Sequence, residues 1–204
     1  KPIELKLDTQ KFIGSLFSLM YSVGSRELIP FVIGQTAQGN YKPLAGLISM
    51  GQDKKEKIYT GMHFNIICNE DMPRADEALI NKSKSNSFSG RHSVEGLTEI
   101  CAHWPKFNPP SNFGEQVQSD IPTLLLSGEL DPVTPPAWAE LALQGLSNHK
   151  HYVAKKAGHG LVTQTCAAKM IAQFIDNGKF DEIKGECLDK QPVPSFLLNN
   201  NGSW

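Results

Sequence analysis

Two residues of the sequence, Asp131 and His159, have types and surroundings suited to proton transfer. Asp131 lies in the segment IPTLLLSGELDPVTPP (residues 121–136), and His159 lies in the segment AGHG (residues 157–160). A carboxylate that accepts a hydrogen bond from an imidazole fixes the tautomer of the ring and stabilises its protonated form. The other ring nitrogen can then remove the proton of a serine hydroxyl, which is a poor nucleophile without such a base. The two segments therefore predict the Asp and His of a catalytic triad.

Each of the two residues follows an apolar segment that predicts a β-strand. Residues 121–126 have the length and composition of a strand buried on both faces in a parallel sheet, and residues 151–154 predict a shorter strand. Because ligands and catalytic groups gather at the carboxyl ends of parallel strands, we expect Asp131 and His159 to lie together there. A helix opened by Pro135 and Pro136 and another over residues 162–176 are predicted to follow the two strands. The side chains expected on the core faces of these helices are Trp138, Leu141, Leu143, Met170, Ile171, Phe174 and Ile175.

A nucleophile for this pair is not evident in the sequence. No G-x-S-x-G motif occurs in the 204 residues, and the segments around Ser25, Ser89 and Ser127 lack the flanking glycines of such a motif. No glycine-rich segment after a strand offers amide donors for an oxyanion either. We therefore expect the chain to be the carboxyl-terminal part of a longer enzyme, and this part alone to be catalytically inactive.

The sequence resembles the α/β-hydrolases of the tripeptidyl-aminopeptidase and proline-iminopeptidase type, most closely the secreted bacterial ones with a TAP-like carboxyl-terminal region. The resemblance extends over residues 19–48, over HFNIICNEDMPR (residues 63–74), and over the two segments described above to Cys187. It implies an α/β fold: the carboxyl-terminal part of an α/β-hydrolase parallel sheet with an inserted, mostly helical cap, or lid. It also implies an exported, periplasmic or secreted serine peptidase that cleaves peptides from a free amino terminus through an acyl-enzyme.

Residues 1–105 are predicted to form the helical cap, and residues 106–204 the βα units of the hydrolase. Helix signals dominate from Asp8 to Trp104, and strand signals are nearly lacking there. Asp8 or Thr9 is suited to cap a first helix, a second is predicted from Ser25 past Ile33, and Asn40 is suited to begin a third. The proline-rich residues 105–120 then lead from the cap back to the sheet. Helices above the crevice would exclude water and shape a substrate pocket.

Four cysteines permit three disulfide connectivities. The resemblance implies that Cys68 pairs with Cys101 inside the cap, and that Cys166 pairs with Cys187 to tie the last helix to the tail. The alternative is four reduced thiols in a cytosolic protein. A zinc site is not expected, since there is no C-x-x-C motif. Oxidised pairs would indicate an exported parent protein.

The segment containing Cys68, Glu70 and Asp71 points to the peptidase branch of the resembled family. By that resemblance, the Glu70 carboxylate would bind the free ammonium group of a peptide through a charge-assisted hydrogen bond, with Asp71 beside it. The alternative is that both carboxylates stabilise the amino-terminal end of a helix that begins at Pro73.

The remaining features mainly exclude other classes. A net charge of −1 favours neither nucleic acid nor an anionic membrane surface, and no apolar run approaches the ~18 residues of a membrane helix. We expect no cofactor and no metal, and His151 is expected to be at most a neighbour of the site. A partial sheet would expose an edge strand and an apolar face, so we expect self-association or pairing with the amino-terminal half of the same hydrolase. A non-catalytic binding or scaffold module and an esterase or epoxide hydrolase of the same fold stay open as alternatives.

Overall fold

The computed structural model describes residues 4–53, 59–86, 92–191, 193, 195–199 and 202–203. The chain divides into two compact units. The first unit comprises Lys1–Gly14 and Ala45–Glu115, and the second unit comprises Ser15–Leu44 and Gln116–Trp204. Within the described residues, no helix has the length and apolar character needed to cross a membrane.

In chain order the α-helices and β-strands are α1 (Thr9–Leu19), α2 (Val23–Arg26), α3 (Ile29–Ala37), α4 (Lys42–Asp53), α5 (Thr60–Ile66), α6 (Glu77–Asn86), α7 (His92–His103), β1 (Thr123–Gly128), α8 (Pro136–Leu143), β2 (His149–Ala154), α9 (Leu161–Gln164), α10 (Ala167–Asn177), β3 (Leu197–Asn199) and β4 (Gly202–Ser203). A π-helical turn (Ile67–Asp71) and two 3-10 segments (Met72–Arg74 and Gly185–Lys190) complete the helical structure of the described residues.

The amino-terminal half of the chain is helical, as the sequence predicts. Its described residues between 4 and 104 form helices and no strand. Two of the residues expected to begin helices do so: the Lys11 amide donates to Asp8 Oδ1 at the start of α1 (2.8 Å), and the Lys42 amide donates to Asn40 Oδ1 at the start of α4 (3.3 Å). Each side chain thus satisfies an amide that has no partner inside its helix. The single helix predicted from Ser25 past Ile33 is wrong, since α2 ends at Arg26 and α3 begins at Ile29.

The two units do not follow the boundary expected near residue 105. Residues 15–44, which the sequence places in the helical region 1–105, group with residues 116–204. Two contacts within the second unit show why: Arg26 Nη2 donates to the Leu130 carbonyl oxygen (2.9 Å), and the Leu197 amide donates to the Glu27 carbonyl oxygen (2.9 Å). The assignment of 1–105 to a cap and of 106–204 to the hydrolase part stays a prediction.

A small parallel sheet forms the α/β part of the second unit. β1 pairs with β2 in parallel, in a register that runs from Thr123 opposite His149 to Gly128 opposite Ala154. β1 begins two residues later, and β2 two residues earlier, than the sequence predicts. The expectation that β1 is buried on both faces is wrong for most of the strand. Its first four side chains are half-buried, because β1 has a single strand partner within the described residues.

The helix after β1 forms where Pro135 and Pro136 predict it, but its orientation differs from the prediction. Leu143 is buried, whereas Trp138 and Leu141, also expected in the core, are 59% and 58% exposed. The three residues cannot all share one narrow face of a helix with a 100° turn per residue, so the sheet covers only part of this apolar surface.

The helix predicted over residues 162–176 consists of two helices, α9 and α10. Thr165 is extended and interrupts the helical backbone between them. Ala167 and Met170 of α10 are buried, while Ile175, expected on the core face, is exposed. The core of this region is a cluster of buried residues: Ala154, Ala157, Leu161, Ala167, Met170, Ile183 and Leu188.

Both disulfides implied by the resemblance are present. Cys68 and Cys101, separated by 33 residues, are joined in the first unit, and Cys166 and Cys187, separated by 21, are joined in the second. On the chain-entropy model, loops of these lengths stabilise a fold by about 3 to 4 kcal/mol each. Two disulfides are consistent with an exported protein.

Candidate active site

Asp131 and His159 meet at the carboxyl end of the parallel sheet. Asp131 follows β1 and His159 follows β2, and His159 Nδ1 lies 2.9 Å from Asp131 Oδ2. The Asp131 side chain is 6% exposed and the His159 side chain is 40% exposed. The carboxylate is therefore largely shielded from solvent, while part of the imidazole is exposed to solvent.

A short loop holds the Asp131 carboxylate in place. Its Oδ1 accepts hydrogen bonds from the Val133 amide (2.8 Å) and the Thr134 amide (3.0 Å), and its Oδ2 accepts one from Thr134 Oγ1 (3.0 Å). Burial by itself would raise the pKa of Asp131. The hydrogen bonds from Thr134, Val133 and His159 outweigh burial and hold the pKa below its usual value. Asp131 is therefore an anion at neutral pH.

The charge of Asp131 determines the tautomer of His159. A carboxylate can only accept hydrogen bonds, so the proton of neutral His159 is on Nδ1, and Nε2 carries a free lone pair. Within the described part of the chain, Nε2 has no hydrogen-bond partner. The arrangement can accept a proton at Nε2 and stabilise the resulting imidazolium through Asp131, as a general base requires.

The backbone of His159 is also anchored. Gln164 Nε2 of α9 donates a hydrogen bond to the His159 carbonyl oxygen (2.6 Å). Gly158, the preceding residue, lies so close to Tyr21 that a Cβ atom at Gly158 would be 2.5 Å from the Tyr21 carbonyl oxygen. A side chain does not fit there, and this explains the glycine before the histidine in the AGHG segment.

Glu70 and Asp71 lie in the first unit, on the π-helical turn Ile67–Asp71 that also contains the disulfide residue Cys68. Asp71 forms an ion pair with Arg74 (3.3 Å), and Arg74 Nε donates to the Glu70 carbonyl oxygen (2.7 Å). Glu70 is half-buried, and its carboxylate has no hydrogen-bond or ion-pair partner within the described residues.

The alternative interpretation of these two carboxylates, a helix beginning at Pro73, is wrong. Residues Met72–Arg74 form one short 3-10 turn, Ala75 is extended, and α6 begins only at Glu77. The side chain at the start of α6 is Asp76, whose Oδ1 accepts a hydrogen bond from the Ala78 amide (2.8 Å). Glu70 and Asp71 therefore do not cap this helix.

The model of the family described as TAP-like protein matches residues 86–187 of the chain, which include both Asp131 and His159. The chain belongs to this family of α/β-hydrolases. A comparison with curated proteins and one with solved structures found no match. The family assignment places this TAP-like chain among the α/β-hydrolases, and the described residues contain helices and a small parallel sheet; the full hydrolase sheet stays a prediction.

Besides the Asp131–His159 pair, the TAP-like chain holds a group of one serine, one histidine and one carboxylate that the sequence did not reveal. His151 Nε2 lies 2.9 Å from Ser127 Oγ, and His151 Nδ1 lies 2.7 Å from Glu140 Oε1. Ser127 of β1 and His151 of β2 are buried, whereas Glu140 of α8 is exposed. The spacing resembles a triad, but a buried serine inside a strand ladder has no access to a substrate. We interpret the group as a polar link between α8 and the sheet.

The described residues contain no group of three His, Cys, Asp or Glu side chains placed to hold a metal ion. The chemistry that the described residues support is proton transfer by His159, oriented by Asp131.

Proposed function

We propose that Asp131 and His159 are the acid–base members of a Ser–Asp–His triad in an exported serine aminopeptidase-type hydrolase, of which this chain forms the carboxyl-terminal portion. The observation that carries the proposal is the 2.9 Å pair between His159 Nδ1 and Asp131 Oδ2, with Nε2 left without a partner in the described residues. In the reaction, Nε2 takes the proton of the serine hydroxyl as it attacks the peptide carbonyl. The imidazolium then gives that proton to the leaving amine.

The nucleophile is proposed to come from a polypeptide segment outside these 204 residues. The sequence contains no G-x-S-x-G motif. Ser127, which does contact an imidazole, contacts His151 and not His159, and it is buried. We therefore expect the 204-residue chain alone to be inactive towards peptides and esters.

The preference for a free amino terminus is proposed to depend on Glu70. Glu70 is half-buried and its carboxylate is unpaired within the described residues, whereas the carboxylate of Asp71 is neutralised by Arg74. A partly desolvated carboxylate without a cation is costly unless a ligand supplies one, and a peptide ammonium group is such a ligand. The finding that neither carboxylate caps α6 supports a binding role over a structural one.

The proposed cellular context is an oxidising compartment, the bacterial periplasm or the medium, because both cysteine pairs form disulfides.

The proposed binding partner of this chain is the amino-terminal half of the same protein or, in its absence, a second copy of the chain. Two features of the second unit support an additional partner: β1 pairs only with β2 within the described residues, and Trp138, Leu141 and Ile175 are exposed. Sedimentation of the isolated chain should show association; a monomer at all concentrations would contradict this part of the proposal.

The triad proposal is tested by labelling the protein expressed from its complete gene with a fluorophosphonate, which reacts with activated serines. We expect His159→Ala to slow labelling by about 10²- to 10⁴-fold, the usual contribution of a general base. His149→Ala is the matched control because His149 is an exposed imidazole of the same unit. Equal labelling rates for wild type and His159→Ala would refute the triad.

The specificity proposal is tested by comparing Glu70→Gln with Asp71→Asn in the same full-length protein. Each change removes one negative charge from the same turn. We expect Glu70→Gln to lower kcat/KM for peptides with a free amino terminus by about 10-fold or more, the equivalent of one charge-assisted hydrogen bond. Blocked esters should be cleaved as before by both variants. Equal effects of the two variants, or an equal loss on blocked esters, would contradict an ammonium site at Glu70.

A further inference from the structure

We propose that Tyr21, on the turn after α1, and Arg26, at the end of α2, are positioning residues that hold the Asp131–His159 pair in its productive geometry. The proposal rests on the function proposed above for that pair. Tyr21 restricts the imidazole, and Arg26 restricts the loop that carries the carboxylate. Both residues belong to the second unit, as do Asp131 and His159.

Tyr21 packs directly on the catalytic imidazole. The ring centroids of Tyr21 and His159 are 5.4 Å apart, and the ring planes meet at 78°. Phe17 of α1 packs on Tyr21 in turn, with centroids 5.7 Å apart and planes at 85°. Edge-to-face contacts of this kind fix the relative orientation of the rings. Because Nδ1 is bound to Asp131 and Tyr21 packs against the imidazole, rotation of the His159 ring would break both contacts.

The backbone of the same turn supports the residue before His159. The Tyr21 carbonyl oxygen and Arg26 Nη2 are the nearest neighbours of the space beside Gly158, and a Cβ atom there would be 2.5 Å and 3.2 Å from them. The turn is therefore in van der Waals contact with the backbone that presents the imidazole. Any displacement of the turn would be transmitted to His159.

Arg26 connects the turn to the residue before Asp131. Arg26 Nη2 donates to the Met20 carbonyl oxygen (2.8 Å) and to the Leu130 carbonyl oxygen (2.9 Å), the latter 104 residues away in sequence. The planar guanidinium can hold two acceptors in a fixed arrangement, which a lysine ammonium does less well. One nitrogen thus bridges the Tyr21 turn and the Asp131 loop.

The environment of Arg26 is not one in which a guanidinium would be expected to stabilise the fold. Its burial lowers the pKa of the guanidinium, and its Nη1 is buried without a hydrogen-bond partner in the described residues. A partly buried cation with an unused donor costs free energy, and an apolar residue of similar size is often tolerated at such a position. The residue is therefore better explained by the geometry that it imposes on the Leu130 carbonyl than by a contribution to folding.

The proposal is tested by the tautomer of His159 in the protein expressed from its complete gene, read from the ¹⁵N shifts of the two ring nitrogens at a pH where the ring is neutral. In the wild type we expect the proton on Nδ1. Tyr21→Leu and Arg26→Met should each shift the neutral ring so that the Nδ1–H form is no longer the major one. Tyr21→Phe keeps the ring contact and should keep the wild-type tautomer. Thermal unfolding of each variant identifies any loss of fold.

The outcomes separate this proposal from the one on which it rests. If wild-type His159 is not Nδ1-protonated, or Asp131→Asn leaves its tautomer unchanged, the catalytic pair itself is wrong and the positioning role falls with it. If the wild-type pair is present but folded Tyr21→Leu and Arg26→Met both retain the Nδ1–H form, only the positioning role is refuted. If one of the two variants does not fold, the other decides, because the two changes affect different contacts.

Discussion

Gly128 and Gly158 approach each other backbone to backbone: a Cβ atom at Gly128 would lie 2.2 Å from the Gly158 carbonyl oxygen. Gly128 ends β1, three residues before Asp131, and Gly158 directly precedes His159. The amide of Leu130 also donates to the Ala157 carbonyl oxygen (2.9 Å), which ties the same two loops together. This close approach allows a carboxylate and an imidazole from successive strand ends to come within 2.9 Å of each other.

We predict that Gly128→Ala destabilises the chain and separates the pair. The added methyl group would meet backbone atoms that cannot rotate away, and such overpacking costs about 1–3 kcal/mol. Urea unfolding and the ¹⁵N shifts of His159 measure the two effects. Gly34→Ala is the matched control, because a Cβ atom there has no heavy atom within 4 Å, and alanine in a helix is favoured over glycine by roughly 0.5–1 kcal/mol. A Gly128→Ala chain as stable as the control would contradict the close approach.

We predict that Asp131 makes the stability of the chain sensitive to acid. Its folded pKa is held below the unfolded value of about 3.9 by hydrogen bonds that outweigh its burial. A lowered folded pKa contributes stability that is present above the unfolded pKa and is lost as the pH falls through the folded pKa. The difference in unfolding free energy between wild type and Asp131→Asn should therefore shrink as the pH falls from about 5 to about 2.

The matched control for this acid effect is Asp120→Asn, since Asp120 is an exposed carboxylate of the same unit. It reports the effect of removing one negative charge without the hydrogen bonds of Asp131. If the Asp131→Asn difference is constant over the acidic range, the carboxylate of Asp131 is not held as described.

We predict that the disulfide Cys166–Cys187 is reduced before Cys68–Cys101. Cys68 and Cys101 are 0% and 5% exposed, whereas Cys166 and Cys187 are half-buried and line a cavity of about 410 Å³. Reduction requires a thiolate to reach a sulfur atom, and nearby cations stabilise the departing thiolate. Three cations and two carboxylates line this cavity, so cations are in excess: Lys169, Lys184, Lys190, Glu182 and Glu186.

Timed exposure to dithiothreitol, followed by alkylation and mass spectrometry, measures the order of reduction. The same reaction in denaturant is the control, since unfolding exposes both bonds and should remove the difference. Earlier reduction of Cys68–Cys101 in the native chain would show that access does not govern the order.

We predict that, within the Ser127–His151–Glu140 group, Ser127 contributes more to the stability of the fold than Glu140 does. Ser127→Ala leaves one nitrogen of a buried imidazole without its partner, which costs about 1–3 kcal/mol. Glu140→Gln should cost less, at most about 1 kcal/mol, because the Glu140 side chain is 65% exposed and its contact with His151 is screened by water. Chemical unfolding of both variants measures the difference. A larger loss for Glu140→Gln would contradict a structural role centred on the buried serine and histidine.

Much of the second unit was predictable from local pattern. Two apolar segments with β propensity, each followed by a turn, indicate parallel strands, and parallel strands present their carboxyl ends on one side. This is why the approach of Asp131 and His159 could be expected from residue types and spacing. The start of α8 at Pro136 and the capping of α1 by Asp8 were predictable for a similar reason, since their physical causes lie within a few residues.

Other predictions were wrong, and some features were not predicted at all, because the residues that cause them are far apart in sequence. Trp138 and Leu141 are apolar, but which face of α8 is covered depends on what packs against it. Thr165 is unremarkable in sequence, yet it separates α9 from α10. The contact of Ser127 with His151 depends on the exact register of β1 against β2, in which a shift by one residue would turn each side chain to the other face.

Local chemistry in the amino-acid sequence was sufficient to indicate the α/β class, the elements on which the carboxylate and the imidazole lie, and the order of these two groups. The folded chain alone revealed that Tyr21 and Arg26 reach the site, that Glu70 is left without a partner in the described residues, and that residues 15–44 join the second unit. The physical reason is the sequence distance over which each interaction acts. Capping, turns and strand propensity depend on residues a few positions apart, whereas the hydrogen bond from Arg26 to Leu130 joins residues 104 positions apart and depends on packing of the whole unit.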